Sequence, residues 1–224
     1  MNARCRRTTA VQAEWNDRPE APGGVGTLHP ALGAPRGIGS IGAMTAEPTT
    51  LPALRRLSAA DDLSDVVALM AAYIAEIRRN LLEGHGLRFE DATRDDPDRI
   101  VDIAGLLEPP QCLYLAVVDG RPAGTCGLKQ TSPEVAEIKR MYVDPPQRGR
   151  GVGRALIERV IDDARAAGYR TLQLETAIWM TEAHALYGRC GFVDAPPFPA
   201  PEFGCVPGCE HLARYMTLSL DEVR

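Results

Sequence analysis

Aromatic residues make up only 5% of the 224-residue chain, so its core must be built from Leu, Val, Ile and Ala. No apolar run approaches the roughly 20 residues that a membrane-spanning helix needs, which excludes a transmembrane protein. Positive charge is not in excess: 25 Lys and Arg stand against 30 Asp and Glu, a formal charge of −5. A nucleic-acid binder shows the opposite, a dominant basic footprint. Cysteine is sparse, with Cys5, Cys112, Cys126, Cys190, Cys205 and Cys209 making six in all. No apolar stretch of about 7–15 residues follows Arg4, Arg6 and Arg7, as a secretory signal requires. Reduced thiols in a cytoplasmic protein are therefore expected rather than a disulfide framework. Cys205, Cys209 and His211 look like half a zinc site. Tetrahedral zinc takes four ligands, a second pair at ligand spacing is missing, and no metal is expected.

What is present is unevenly distributed. Residues 1–43 hold seven Gly and four Pro, five Arg and three acids, for a net +2. They show neither a 3.6- nor a 2.0-residue apolar period, and such a stretch cannot bury enough surface to offset its ordering entropy. We read 1–43 as a disordered Gly/Pro-rich head. Two accounts of it stay open: a basic regulatory tail, or a gene-model extension with Met44 as the true start. Residues 44–224 carry a net −7 and read as one folded domain.

After Met44 the periodicity is regular. Ala53–Leu57 reads as a short strand. Asp61 and Asp62 offer N-cap chemistry to a helix through Leu63, Val66, Val67, Met70, Ile74 and Ile77, which Gly84 and Gly86 stop. Asp96-Pro97 reads as N-cap and N1 of a second helix through Ile100, Ile103, Leu106 and Leu107. Cys112–Val118 and Pro122–Gln130 flank Asp119-Gly120, a strong hairpin turn. A third strand ends at Val143. A helix follows with Val152, Leu156, Val160, Ile161 and Ala164 on one side, and Gly168 fits its C′ position. Thr171–Thr176 is a strand, Thr181–Arg189 a short helix and Leu212–Leu218 a last strand. The fold class is α/β, in the order β-α-α-β-β-β-α-β-α-β. A parallel strand–helix–strand unit around Gly149–Thr176 joined to an antiparallel hairpin makes a mixed central sheet with helices on both faces.

Gln147-Arg148-Gly149-Arg150-Gly151-Val152-Gly153 lies between a strand and a helix. Its glycines let a ligand approach the backbone, and the unpaired amides of the first helical turn form an anion site suited to pyrophosphate. A Walker loop needs Lys-Ser or Lys-Thr after its last glycine, and neither occurs. A dinucleotide fingerprint counted from Gly149 needs glycine at position 154 and the first strand of the fold; Arg154 occupies the position, and the loop lies far downstream. Ile138, Met141 and Val143 are spaced three and then two, which breaks strand phase and predicts a β-bulge near Lys139-Arg140.

Arg148-x-x-Gly151-x-Gly153 after Met141-Tyr142-Val143-Asp144-Pro145 resembles the acetyl-CoA motif of the GNAT superfamily of N-acetyltransferases. Tyr187-Gly188-Arg189-Cys190-Gly191-Phe192 is similar to that family's downstream Tyr-x-x-x-Gly-Phe motif, and the resemblance covers about residues 53–220. It implies a GNAT-like fold for the 44–224 domain and an N-acetyltransferase that moves an acetyl group from acetyl-CoA, its cosubstrate, to a primary amine. It places the CoA pyrophosphate on Gly149, Arg150, Gly151, Val152, Gly153 and Arg154, with Arg148 beside it. The pantetheine arm would pair with the preceding strand, making the Met141 and Val143 amides cofactor contacts and Met141 an oxyanion donor. Tyr187 matches the family's general acid, and Glu137 resembles the catalytic glutamate of its histone-acetylating branch. Glu175 and His184 remain rival bases. The downstream motif often begins with Asn, where this chain has Trp179-Met180-Thr181. Pro196–Cys209 reads as a substrate-side segment. The acceptor is a small-molecule or protein amine, with neither nucleic acid nor membrane as partner, and a homodimer stays open. Two other readings stay open as well: the same fold using a longer acyl-CoA, and a catalytically silent acyl-CoA sensor.

Overall fold

The structure, a computed structural model, describes residues 51–88, 103–199, 201–202 and 208–221. The 1–43 head, the helix start at Asp96-Pro97, Cys5 and Cys205 lie outside the described residues.

Among the described residues seven strands form one sheet, with neighbours in the order β1-β2-β3-β4-β5-β7-β6. They are β1 Ala53–Arg56, β2 Cys112–Val118, β3 Arg121–Gln130, β4 Val135–Val143, β5 Thr171–Ala177, β6 Val193–Asp194 and β7 Ala213–Ser219. The β4–β5 pair is parallel and every other pair antiparallel. The predicted mixed sheet is thus present, with the parallel pair where the strand–helix–strand pattern put it. Asp119 and Gly120 both take positive φ, 52° and 72°, the geometry that a two-residue hairpin of native twist needs.

The sheet is covered on both faces, which explains why β2 is a continuous apolar run rather than an alternating one. Cys112, Tyr114, Ala116 and Val118 share a core with Val152, Leu156, Ile157 and Val160 of α2, Val152–Ala166, and with Tyr187 of α3, Thr181–Arg189. Leu113 and Leu115 alternate with them and are equally buried. On that second face α1, Ser64–His85, packs against β3 and β4. Its buried Val66, Met70, Ile74, Ile77 and Leu81 recur at three- and four-residue steps. Among the described residues no helix is long and apolar enough to cross a membrane.

Three local expectations are corrected. Asp61 and Asp62 do not occupy the N-cap of α1, which is Leu63, although Asp62 satisfies the helix's first amide. They accept the Ser58 and Ser64 amides at 2.8 and 3.0 Å, and the helix starts at Ser64. The described end of the second helix is a 3₁₀ turn, Ala104–Leu106. The two-residue β6 was absent from the expected order; so short an edge strand has too few residues to show a period.

Candidate active site

β4 and β5 pair only at Val135–Thr171, Ala136–Leu172 and Glu137–Gln173. Beyond Glu137 the two strands part, and the β5-facing edge of β4 opens onto a cleft. On its other side β4 pairs with β3 through a register shift. Thr125 faces Tyr142 and Gly127 faces Lys139, so Arg140 and Met141 together oppose Cys126. This is the bulge that the phase break predicts. Arg140 sits in it at φ 55°, a left-handed conformation uncommon for a residue with a side chain. The bulge sends Lys139 and Arg140 to the same carboxylate, although neighbours on a regular strand point apart.

The glycine loop follows β4 through a 3₁₀ turn, Pro145–Gln147, and runs into the head of α2. Gly151 stands at the head of α2 with φ 81°, a conformation that glycine takes without steric cost. The first helical amide with an acceptor in the helix is Ala155, bonded to Gly151 O at 3.0 Å, so the amides of Val152, Gly153 and Arg154 remain available to an anion. Gly153 allows close packing for a different reason. A Cβ there would lie 3.1 Å from Leu186 Cδ2, 3.5 Å from Val143 Cγ2 and 3.6 Å from Met141 Cε. The lack of a side chain at Gly153 thus lets the α2 N-terminus sit directly on the end of β4 and on α3.

The arginines of the loop are held by carboxylates. Arg148 NH2 binds Glu76 of α1 at 2.8 Å while its Nε donates to Val143 O at 3.1 Å. Arg150 NH2 binds Asp119 at the hairpin tip at 2.6 Å, and Arg154 binds Glu158 at 2.7 Å in solvent. Main-chain amides, more than free arginine side chains, are therefore what this loop offers to an anion.

A cavity of about 90 Å³ lies between the parted strands, several times the ~10–15 Å³ that one water needs. Glu137, Met141, Glu175 and Tyr187 all line it, so four sequence-predicted residues meet there. Tyr187 is 5% exposed, its ring packs on Phe192 at 5.9 Å, and burial pushes its phenol well above the usual tyrosine range. Glu137 is 4% exposed. Burial raises its carboxyl, and the Lys139 ammonium 2.6 Å away only partly offsets this.

The sequence reading did not single out Lys139, Arg140, Glu202 and Tyr73 as site residues, and all four line the cleft. Glu202 binds Lys139 Nζ at 3.3 Å and Arg140 NH1 at 2.9 Å, and its amide donates to Glu175 Oε2 at 2.6 Å. Burial acts to raise its carboxyl, but Arg140 and Lys139 together hold it below the usual range. Burial raises the Tyr73 phenol to about 12. Two signals pointed here: the phase break at Lys139-Arg140, and the unusual Pro196–Cys209 segment that carries Glu202. His184 does not join the cleft. Its Nδ1 accepts a 2.9 Å bond from Arg214, which is fixed in turn by Asp194. Among the described residues no cluster of three or more His, Cys, Asp or Glu could hold a metal, and Cys112, Cys126, Cys190 and Cys209 are free thiols.

Residues 74–192 match the Acetyltransferase (GNAT) family, which takes in β2–β5, the glycine loop and the Tyr187 helix. The chain is 38% identical over 105 residues to IAA acetyltransferase from Azospirillum brasilense, covering 46% of this chain and 68% of that protein. It is 31% identical over 105 residues to N-acetylaspartate synthetase from Xenopus tropicalis, covering 46% of this chain but only 38% of the longer relative. A Salmonella typhimurium structure solved with its cofactor acetyl-CoA superimposes with a TM-score of 0.51 at 22% identity, over 78% of this chain and 97% of that one; at that identity the likeness speaks for the fold. The parted parallel strands, the glycine loop on the α2 N-terminus and a family match over more than half of the sequence agree, and the chain belongs to the GNAT family of acetyltransferases.

Proposed function

We propose that this protein is an N-acetyltransferase of its family, transferring the acetyl group of acetyl-CoA to a primary amine by direct attack. The observation that carries this reading is the junction at Gly153, where unpaired α2 amides meet the open edge of β4 beside Tyr187. The site suits the coenzyme. The amides of Gly149–Arg154 would take the pyrophosphate, with Arg148 and Arg150 adding charge. The β4 edge at Met141 and Val143 would take the pantetheine arm and thioester, and acetyl-CoA supplies the activated acyl group.

The roles of the side chains follow from their surroundings. Glu137 accepts the proton of the attacking ammonium, directly or through water, because burial gives it a better base than an exposed carboxylate. The Met141 amide donates to the carbonyl oxygen as charge develops on it. Tyr187, kept neutral by burial, donates its phenolic proton to the departing thiolate. Glu175 is the rival base in the same cleft.

The test measures CoA thiol release from acetyl-CoA against an amine panel, with longer acyl-CoAs in parallel. Turnover with acetyl-CoA supports the reading. Faster turnover with a longer chain reassigns the donor. Tight CoA binding with no turnover on any amine marks a silent sensor instead.

A further inference from the structure

Two consecutive cations, Lys139 and Arg140, meet one carboxylate inside the cleft. Regular strand geometry forbids this arrangement, and the bulge with Arg140 at φ 55° produces it. Both side chains are more than nine-tenths buried, at 8% and 6% exposure. Burying charge in this way is costly unless an anion is held there. Sparsely populated backbone conformations are kept where a function fixes them.

Two carboxylates are in place: Glu137, which takes Lys139 at 2.6 Å, and Glu202, which reaches both cations, Lys139 at 3.3 Å and Arg140 at 2.9 and 3.4 Å. Glu202 belongs to no strand or helix, whereas its two partners are built into β4. Its main chain is tethered separately, through the 2.6 Å bond from its amide to Glu175. An exchange of carboxylates at the cations can therefore leave that tether intact. The carboxylate also lies in the cleft that holds Glu137 and Tyr187, where an acceptor amine must come.

We propose that Lys139 and Arg140 form a carboxylate-binding subsite, that the acceptor is an amine carrying its own carboxylate, of the free amino acid class, and that Glu202 is the internal carboxylate which occupies this subsite until the acceptor displaces it. The acceptor's ammonium then faces Glu137 and Glu175, and its carboxylate replaces that of Glu202. This rests on the acetyl-transfer reading above and narrows it, because a protein N-terminus or a plain alkylamine offers no such group.

The experiment uses the full chain, acetyl-CoA, and two matched acceptor sets: free L-amino acids and the corresponding L-amino acid amides, which differ by one charge. Wild type is expected to prefer the best free acid over its amide by roughly a hundredfold or more in kcat/KM, since a site built for a polar group strongly rejects the analogue lacking it. Glu202→Gln removes the internal competitor and should widen that preference by roughly tenfold, mainly through a lower KM for the acid. Arg140→Gln should collapse the preference towards one. A preference ratio compares each variant with itself, so partial misfolding cancels. Equal or better use of the amides by wild type, or a Glu202→Gln ratio that does not rise, overturns the acceptor assignment while leaving acetyl transfer standing. Absence of turnover with both sets overturns the acceptor assignment, and acetyl transfer falls with it only where the whole amine panel is also inert despite CoA binding.

Discussion

Lys139 Nζ donates a 2.6 Å hydrogen bond to Glu137 Oε1 with both side chains under one-tenth exposed. Burial raises the Glu137 carboxyl and Lys139 pulls it back. A base acts only when deprotonated, so kcat should fall as pH drops through this raised pKa, above the ordinary value of 4.5. Glu137→Gln should lower kcat by roughly 10²–10⁴-fold and remove that acid limb. Lys139→Met should shift the limb to higher pH, because the group that stabilises the carboxylate is gone. Pre-steady-state acetylation rates across pH decide the matter. An unchanged limb in Glu137→Gln transfers the role of base to Glu175.

Tyr187 is buried against Phe192, and its phenol is held neutral well into alkaline pH. The phenol thus carries its proton at working pH, as a donor must, and the departing thiolate has to supply the driving force because burial makes the phenol a weaker acid than an ordinary tyrosine. Tyr187→Phe keeps the ring packing and removes only the hydroxyl. Acetylation kcat should drop by roughly 10²–10³-fold, with CoA affinity measured by calorimetry unchanged. Equal kcat in the two proteins would make Tyr187 a packing residue.

Gly151 heads α2 at φ 81°, and nothing lies within 4 Å of where its Cβ would stand. Gly151→Asp therefore adds strain and a negative charge at the anion site, but no clash with the core. Gly151→Asn adds the same shape without the charge, and both side chains tolerate left-handed backbone better than most. CoA affinity should fall modestly in the Asn variant and be lost in the Asp variant, with similar thermal midpoints for the two. Matching affinities in the two variants would remove the pyrophosphate from this loop.

The sheet and the glycine loop at the head of α2 were legible in the sequence because local signals carry them. Asp119-Gly120 marks the hairpin, Gly168 closes α2, and the spacing of Ile138, Met141 and Val143 betrays the bulge at Arg140. The ion pairs that hold the cleft and the loop were not legible, since they join residues distant in sequence. Glu202 reaches Arg140 across 62 positions, Arg148 reaches Glu76 across 72, and no periodicity encodes such pairs. His184 shows the opposite error. It was expected as a rival base, but its ring is bonded to Arg214 of β7 and does not line the cleft.

His184 gives the last prediction, one of stability rather than catalysis. Its pKa is lowered from 6.5, first by burial and then by the Arg214 guanidinium, whose NH1 lies 2.9 Å from Nδ1. The unfolded chain thus binds a proton at higher pH than the folded one. Stability should be full above the unfolded value near 6.5 and should decline as pH falls from there towards the lower folded pKa. His184→Gln retains an acceptor for Arg214 but cannot titrate. Thermal midpoints taken from about pH 7 down to about pH 5 should fall more steeply in wild type than in His184→Gln. Parallel slopes would show that Arg214 does not oppose protonation of this ring.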